Sequence, residues 1–184
     1  MISGRRWSFP TEPKKISEHT AEAIRFLHRN AERFNIDPKR ISVMGSSAGA
    51  LISGYLGHGT RLPIRSVFAH QQPMGTPELI LPVLRRDGPP IVLFTTSGPN
   101  DRIHHPDHAR VVHDRCKKLG VVCRMYGSKK SGLPTVPAGE DIHDKVMAFF
   151  YKSWKPPHAD RAKAPEPLKR KPNSQNSTTA SKHP

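Results

Sequence analysis

At 184 residues the chain is one domain's worth of polypeptide, enough to bury a core without metals or disulfides. It carries 30 Lys/Arg against 15 Asp/Glu, a formal net charge of +15, and a hydrophobic share of 35%. A surface this basic attracts polyanions without identifying one, so no dedicated nucleic-acid site is read from charge alone.

The opening segment, 1–15, is basic but has no apolar h-region and does not read as a signal peptide. Cytoplasmic is therefore the default expectation, although a missing native N-terminus could hide a signal. Residues 17–34 read as a helix with Ser17 as N-cap; Ile24, Leu27, Ala31 and Phe34 recur at three- and four-residue steps and form its apolar stripe. Asp37-Pro38-Lys39-Arg40 is a turn, because Pro38 disfavours helix in the residue before it. Ile41–Met44 is a short strand, followed by Gly45-Ser46-Ser47-Ala48-Gly49 and a helix through Leu56. Arg65–Ala69 is a second strand and Glu78–Arg85 a short helix.

Pro90–Thr96 is an almost continuous apolar run, the pattern of a strand covered on both faces. A helix from Asp107 to Lys118 should end at Gly120 in a left-handed cap, and Val121–Tyr126 is a fourth strand. After a Gly/Pro/Ser/Lys loop, Asp144–Trp154 is the final helix. Cys116 and Cys123 are too few for a disulfide framework and lack zinc-site spacing, so free thiols and a reducing compartment are expected. No run is long and apolar enough to span a membrane. Residues 1–154 are read as one domain. Residues 155–184 hold seven basic and two acidic side chains and almost no large apolar ones; this tail is expected to be disordered and to bind polyanions only non-specifically. Strands alternating with helices imply a mainly parallel sheet with right-handed crossovers.

Gly45-x-Ser47-x-Gly49 between a strand and a helix has the form of a nucleophile elbow. A serine that must project from a sharp bend needs small neighbours, and Ser46 and Ala48 are small too. The helix N-terminus at the bend favours developing negative charge, and the N–H of Ala48 is positioned to donate to an oxyanion. A serine nucleophile needs a base, and the base an orienting acid. With this elbow the chain order is Ser, Asp/Glu, His. Asp101, in Gly98-Pro99-Asn100-Asp101 after the third strand, is the acid. His143 is the base, as the one histidine between Tyr126 and the last helix. The base is expected after the last strand, so His104, His105, His108 and His113 fall too early and are read as decorating the loop and helix after Asp101. Neither metal nor organic cofactor is implied.

The stretch from Ala21 to Gly49, above all Asn35-Ile36-Asp37-Pro38-Lys39-Arg40-Ile41 ahead of Met44-Gly45-Ser46-Ser47-Ala48-Gly49, resembles the α/β-hydrolase serine esterases and lipases. It is most similar to the acetyl-xylan esterase-like and feruloyl esterase-like branch. The resemblance covers residues 17–154. It implies a three-layer sandwich and hydrolysis of carboxylic esters, on small molecules or glycans, through an acyl-enzyme. It also implies earlier strands and a His-Gly-Gly-type loop with a second oxyanion donor. The chain begins after that point, so an N-terminally truncated version of the fold is expected. Loss of one donor costs about 10²–10³ in rate. The group usually has Gly-x-Gly-His around its histidine, whereas this chain has Glu140-Asp141-Ile142-His143-Asp144. The competing readings are a catalytically impaired hydrolase-like or binding protein and a serine peptidase of the prolyl-oligopeptidase type. A nucleic-acid-binding protein is disfavoured, for the sequence has no helix-turn-helix, zinc or RNP signature.

Overall fold

The computed structural model describes residues 11–154; the expected disordered tail, 155–184, lies outside them. Four strands, β1 (Val43–Ser46), β2 (Val67–His70), β3 (Ile91–Thr95) and β4 (Cys123–Gly127), form one sheet. Their order is β1-β2-β3-β4 and every pairing is parallel; Val43 aligns with Val67, Val67 with Ile91, and Ile91 with Cys123. The helices are α1 (Thr11–Arg29), α2 (Ala48–His58), α3 (Thr76–Leu79), α4 (Asp107–Leu119) and α5 (Ile142–Trp154).

Strand side chains alternate between faces, which splits the core in two. Val67, Ala69, Ile91 and Leu93 point to α2 and α4 and pack with Leu51, Leu56, Val112 and Cys116. Phe68, Val92, Phe94 and Tyr126 point the other way, onto Val146, Phe149 and Phe150 of α5. Met44 of the edge strand β1 shares that second face but stays 62% exposed. Helices on both faces of a parallel sheet make three layers, as the alternation of elements predicts.

The first helix departs from expectation. It starts at Thr11 and ends at Arg29, and residues 30–35 are turns, with Asn35 at φ 52°. Ser17 is not its N-cap: it is fully buried mid-helix and its hydroxyl donates to Pro13 O at 2.7 Å. The buried stripe runs through Pro13, Ser17, Ala21 and Ile24, while Leu27 and Phe34 are exposed. A small-residue stripe against α2 was invisible to a search for large apolar side chains. The helix expected at Glu78–Arg85 is the single turn Thr76–Leu79. Gly120 is the left-handed cap of α4, at φ 74°, its N–H directed at Cys116 O and Lys117 O. Among the described residues no helix is long and apolar enough to cross a membrane.

Candidate active site

At the C-terminal end of β1 the chain bends into α2 with Ser47 at the corner. Ser47 has φ 54° and ψ −120°, a conformation an L-residue adopts only under strain. Neighbours hold it there. Its N–H donates to His70 O at the end of β2 (3.0 Å). A Cβ on Gly45 would stand 2.2 Å from Gly49 O and 2.7 Å from Ser53 Oγ. Ser53 Oγ itself donates to Gly49 O (2.7 Å). The elbow therefore closes only with glycine at position 45. Ala48 is the first residue of α2, so its N–H has no carbonyl a turn earlier within the helix to bond.

Ser47 Oγ lies 2.9 Å from His104 Nε2. The other ring nitrogen, Nδ1, is 3.4 Å from Asp101 Oδ2. Asp101 follows β3 in a tight turn whose geometry explains the pairing. Its Oδ1 accepts from the N–H groups of Ile103 and His104, both at 2.9 Å, and Oδ2 accepts from Ser97 Oγ at 2.7 Å. These donors hold the Asp101 carboxyl down at about 2: the His104 N–H first, then the Ser97 hydroxyl, the Ile103 N–H and the His104 charge. The same turn that fixes the carboxylate folds the chain back and sets the His104 ring between Asp101 and Ser47. His104 therefore does not merely decorate the loop.

His143 sits elsewhere. It is the second residue of α5, its side chain is 80% exposed, and both its N–H (2.7 Å) and Nδ1 (3.0 Å) contact Asp141 Oδ1. It makes no hydrogen bond or ion pair with Ser47 or Asp101. It does stand at the same end of the sheet: burial lowers the pKa of His70, and the charges of His104 and His143 add to the effect. The His70 ring stacks against Phe68 and Phe94, and its Nδ1 lies 3.1 Å from Ser46 Oγ. Gln71, at φ 53°, ties β2 to β3 by bonding the Thr96 N–H, Thr96 Oγ1 and Ser97 Oγ. The available signal for His104 in the sequence is Asp-x-x-His spacing in a turn, which keeps the Ser-Asp-His order but is overridden by the expectation that the base follows the last strand. Among the described residues no group of three or more His, Cys, Asp or Glu side chains is arranged to hold a metal ion.

Residues 7–70 match the family model BD-FAE. Over 43 residues the chain is 42% identical to endo-1,4-beta-xylanase B of Butyrivibrio fibrisolvens, a stretch covering 23% of this chain and 7% of that enzyme. Among solved structures, it superposes on a sugar hydrolase from Lactococcus lactis with a TM-score of 0.58 at 14% identity, covering 84% of this chain and 70% of the other. A truncated carbohydrate esterase from gut microbiota gives 0.56 at 15% identity, covering 79% and 69%. The chain has the α/β-hydrolase fold of these enzymes. Within this fold the BD-FAE match ends at His70, so it takes in α1, β1, the elbow and β2. The Asp101 turn, His104 and His143 all lie beyond it.

Proposed function

We propose that the protein is a serine hydrolase of carboxylic esters with Ser47 as nucleophile, His104 as base and Asp101 as the orienting acid. The observation that carries this reading is the strained Ser47 hydroxyl 2.9 Å from His104 Nε2. In the reaction His104 Nε2 takes the Ser47 proton as Oγ attacks the ester carbonyl, and the Ala48 N–H donates to the oxyanion. Collapse expels the alcohol, which leaves with the proton from His104. Water, deprotonated in turn by His104, attacks the acyl-enzyme and releases the carboxylic acid and free Ser47. Asp101, ionised well below neutrality, favours the tautomer with a proton on Nδ1 and stabilises the imidazolium.

His143 is the second candidate for the base. Its place after the last strand supports it, as does its electrostatic reach to His70 beside the elbow. The substrate class we favour is a glycan carrying acetyl or feruloyl esters. Support comes from the carbohydrate esterase among the fold relatives and the xylanase among the sequence relatives. A fluorophosphonate probe tests the reading: Ser47 should label, and Ser47→Ala should not. Absence of label on the wild-type chain leaves the catalytically impaired, hydrolase-like reading. Turnover of a proline-containing peptide but not of p-nitrophenyl acetate would favour the prolyl-oligopeptidase type instead.

A further inference from the structure

The opposite end of the sheet carries a feature the hydrolase reading does not use. Where β1 and β2 begin, two clefts of about 680 and 400 Å³ adjoin, sharing Pro63 and Arg65. The first is lined by Lys39, Arg40, Arg65 and Trp154, and the second by Arg65 and Arg85. The two acids in the clefts, Asp37 and Asp87, are taken up by Arg40 and Arg61, each at 3.0 Å. Lys39 and Arg65 form no ion pair among the described residues. Arg85 approaches Asp87 only at 3.6 Å, and its Nε and Nη1 are shut off from solvent with no hydrogen-bond acceptor. With those two nitrogens closed to solvent and Nη2 turned to Gly57 O and Thr60 O, both at 3.5 Å, Arg85 lends the groove positive charge rather than a donor within a ligand's reach.

The wall of this groove is preorganised. Arg65 Nε and Nη2 both donate to Ser153 O, at 3.2 and 3.0 Å, which fixes the guanidinium and leaves Nη1 for a ligand. Trp154 Nε1 donates to Ser42 Oγ (2.8 Å), Ser42 Oγ meets Ser66 Oγ (2.6 Å), and Ser66 Oγ meets Ser153 Oγ (2.8 Å). That chain of hydroxyls locks the indole beside the cations before any ligand arrives, so little ordering cost remains for binding.

We propose that this groove binds the carboxylates of an acidic glycan, a uronate-bearing segment, away from the ester cleaved at Ser47. The Arg65 Nη1 and the Lys39 ammonium can give carboxylates charge-assisted hydrogen bonds, and the fixed indole offers an apolar face to a sugar ring. The choice of glycan over nucleic acid rests on the ester-hydrolase reading of the Ser47 site. Hexagalacturonate is the charged probe, xylohexaose its neutral counterpart and a single-stranded oligonucleotide the rival polyanion, all with the full chain. Hexagalacturonate should bind and xylohexaose should not. Arg65→Gln should weaken hexagalacturonate about tenfold, the scale of one charge-assisted hydrogen bond. Because Arg65→Gln also loosens the hold on Ser153, Lys39→Gln on an exposed turn is the second variant, with the same direction expected. Turnover of p-nitrophenyl acetate should not change in either. Equal hexagalacturonate binding by wild type and both variants overturns the proposal, as does no binding at all. Oligonucleotide binding that these substitutions weaken, with hexagalacturonate binding unaffected, also overturns it. Ser47→Ala separates the two readings: it should lose the fluorophosphonate label and keep hexagalacturonate. A wild-type chain that never labels but binds hexagalacturonate through Arg65 sinks the hydrolase and spares the groove.

Discussion

The two ends of the sheet are built on opposite principles. Where the strands finish, the backbone itself is under load: Ser47 and Gln71 both have positive φ, and Gly45 lies against Gly49 with no room for a methyl group. Where the strands begin, the backbone is extended and side-chain hydroxyls join β1, β2 and α5 through Ser42, Ser66, Ser153 and Trp154. One end stores strain around a single oxygen, and the other spreads modest hydrogen bonds over several residues. Strain persists only where surrounding structure over-determines it, so substitutions should be costly at the first end and graded at the second.

The largest effect should fall on catalysis. His104→Gln removes the nitrogen facing Ser47 and should lower kcat for p-nitrophenyl acetate on the order of 10³-fold or more. His143→Gln, on an exposed ring held by Asp141, should stay within severalfold. Steady-state rates of the two variants, side by side, decide between the bases. The opposite ranking would give the role to His143 and make the Ser47–His104 contact incidental.

Next in size is the elbow's stability. Gly45→Ala puts a Cβ 2.2 Å from a backbone oxygen, where no side-chain rotation gives relief. Urea unfolding should show a loss of about 3 kcal/mol or more, with activity falling alongside. Gly49→Ala is the contrast, because nothing lies within 4 Å of its Cβ. Its cost should be near zero or slightly favourable, since alanine suits a helix better than glycine. Equal costs at the two glycines would mean the bend is not the strained element the geometry describes.

The sequence was most legible where physics is local. Gly120 as a left-handed cap, the apolar run of β3 and the small residues around Ser47 each follow from a constraint carried within a few positions. Legibility failed where a partner far along the chain decides. Ser17 looks like a cap because serine usually caps, yet it is buried mid-helix, in the stripe that packs on α2. His104 looks like loop decoration until Asp101 Oδ1 binds the N–H groups of residues 103 and 104 and swings the ring 57 positions back in sequence, to Ser47. The Ser42–Ser66–Ser153 chain had no signature at all, since it joins three segments whose spacing carries no period.

The smallest effect is a pH slope, and it sharpens the contrast from the forgiving end. His58 closes α2 near the start of β2. Burial first, then the charge of Arg85, push its pKa down to about 4 from 6.5, opposed by the Pro89 backbone and then by Asp87. A base whose folded pKa is depressed binds fewer protons folded than unfolded between those values, so stability falls as pH drops from 6.5 towards 4 and levels off below. At pH 5 the loss relative to pH 7 should be about 2 kcal/mol from this residue. His58→Gln cannot take up the proton; whatever its stability at pH 7, its unfolding free energy should decline less steeply over that window. Parallel slopes for wild type and variant would show that His58 is protonated as readily folded as unfolded. The acid sensitivity of the fold would then have to be sought among the groups at the other end, where Asp101 holds its charge down to about 2.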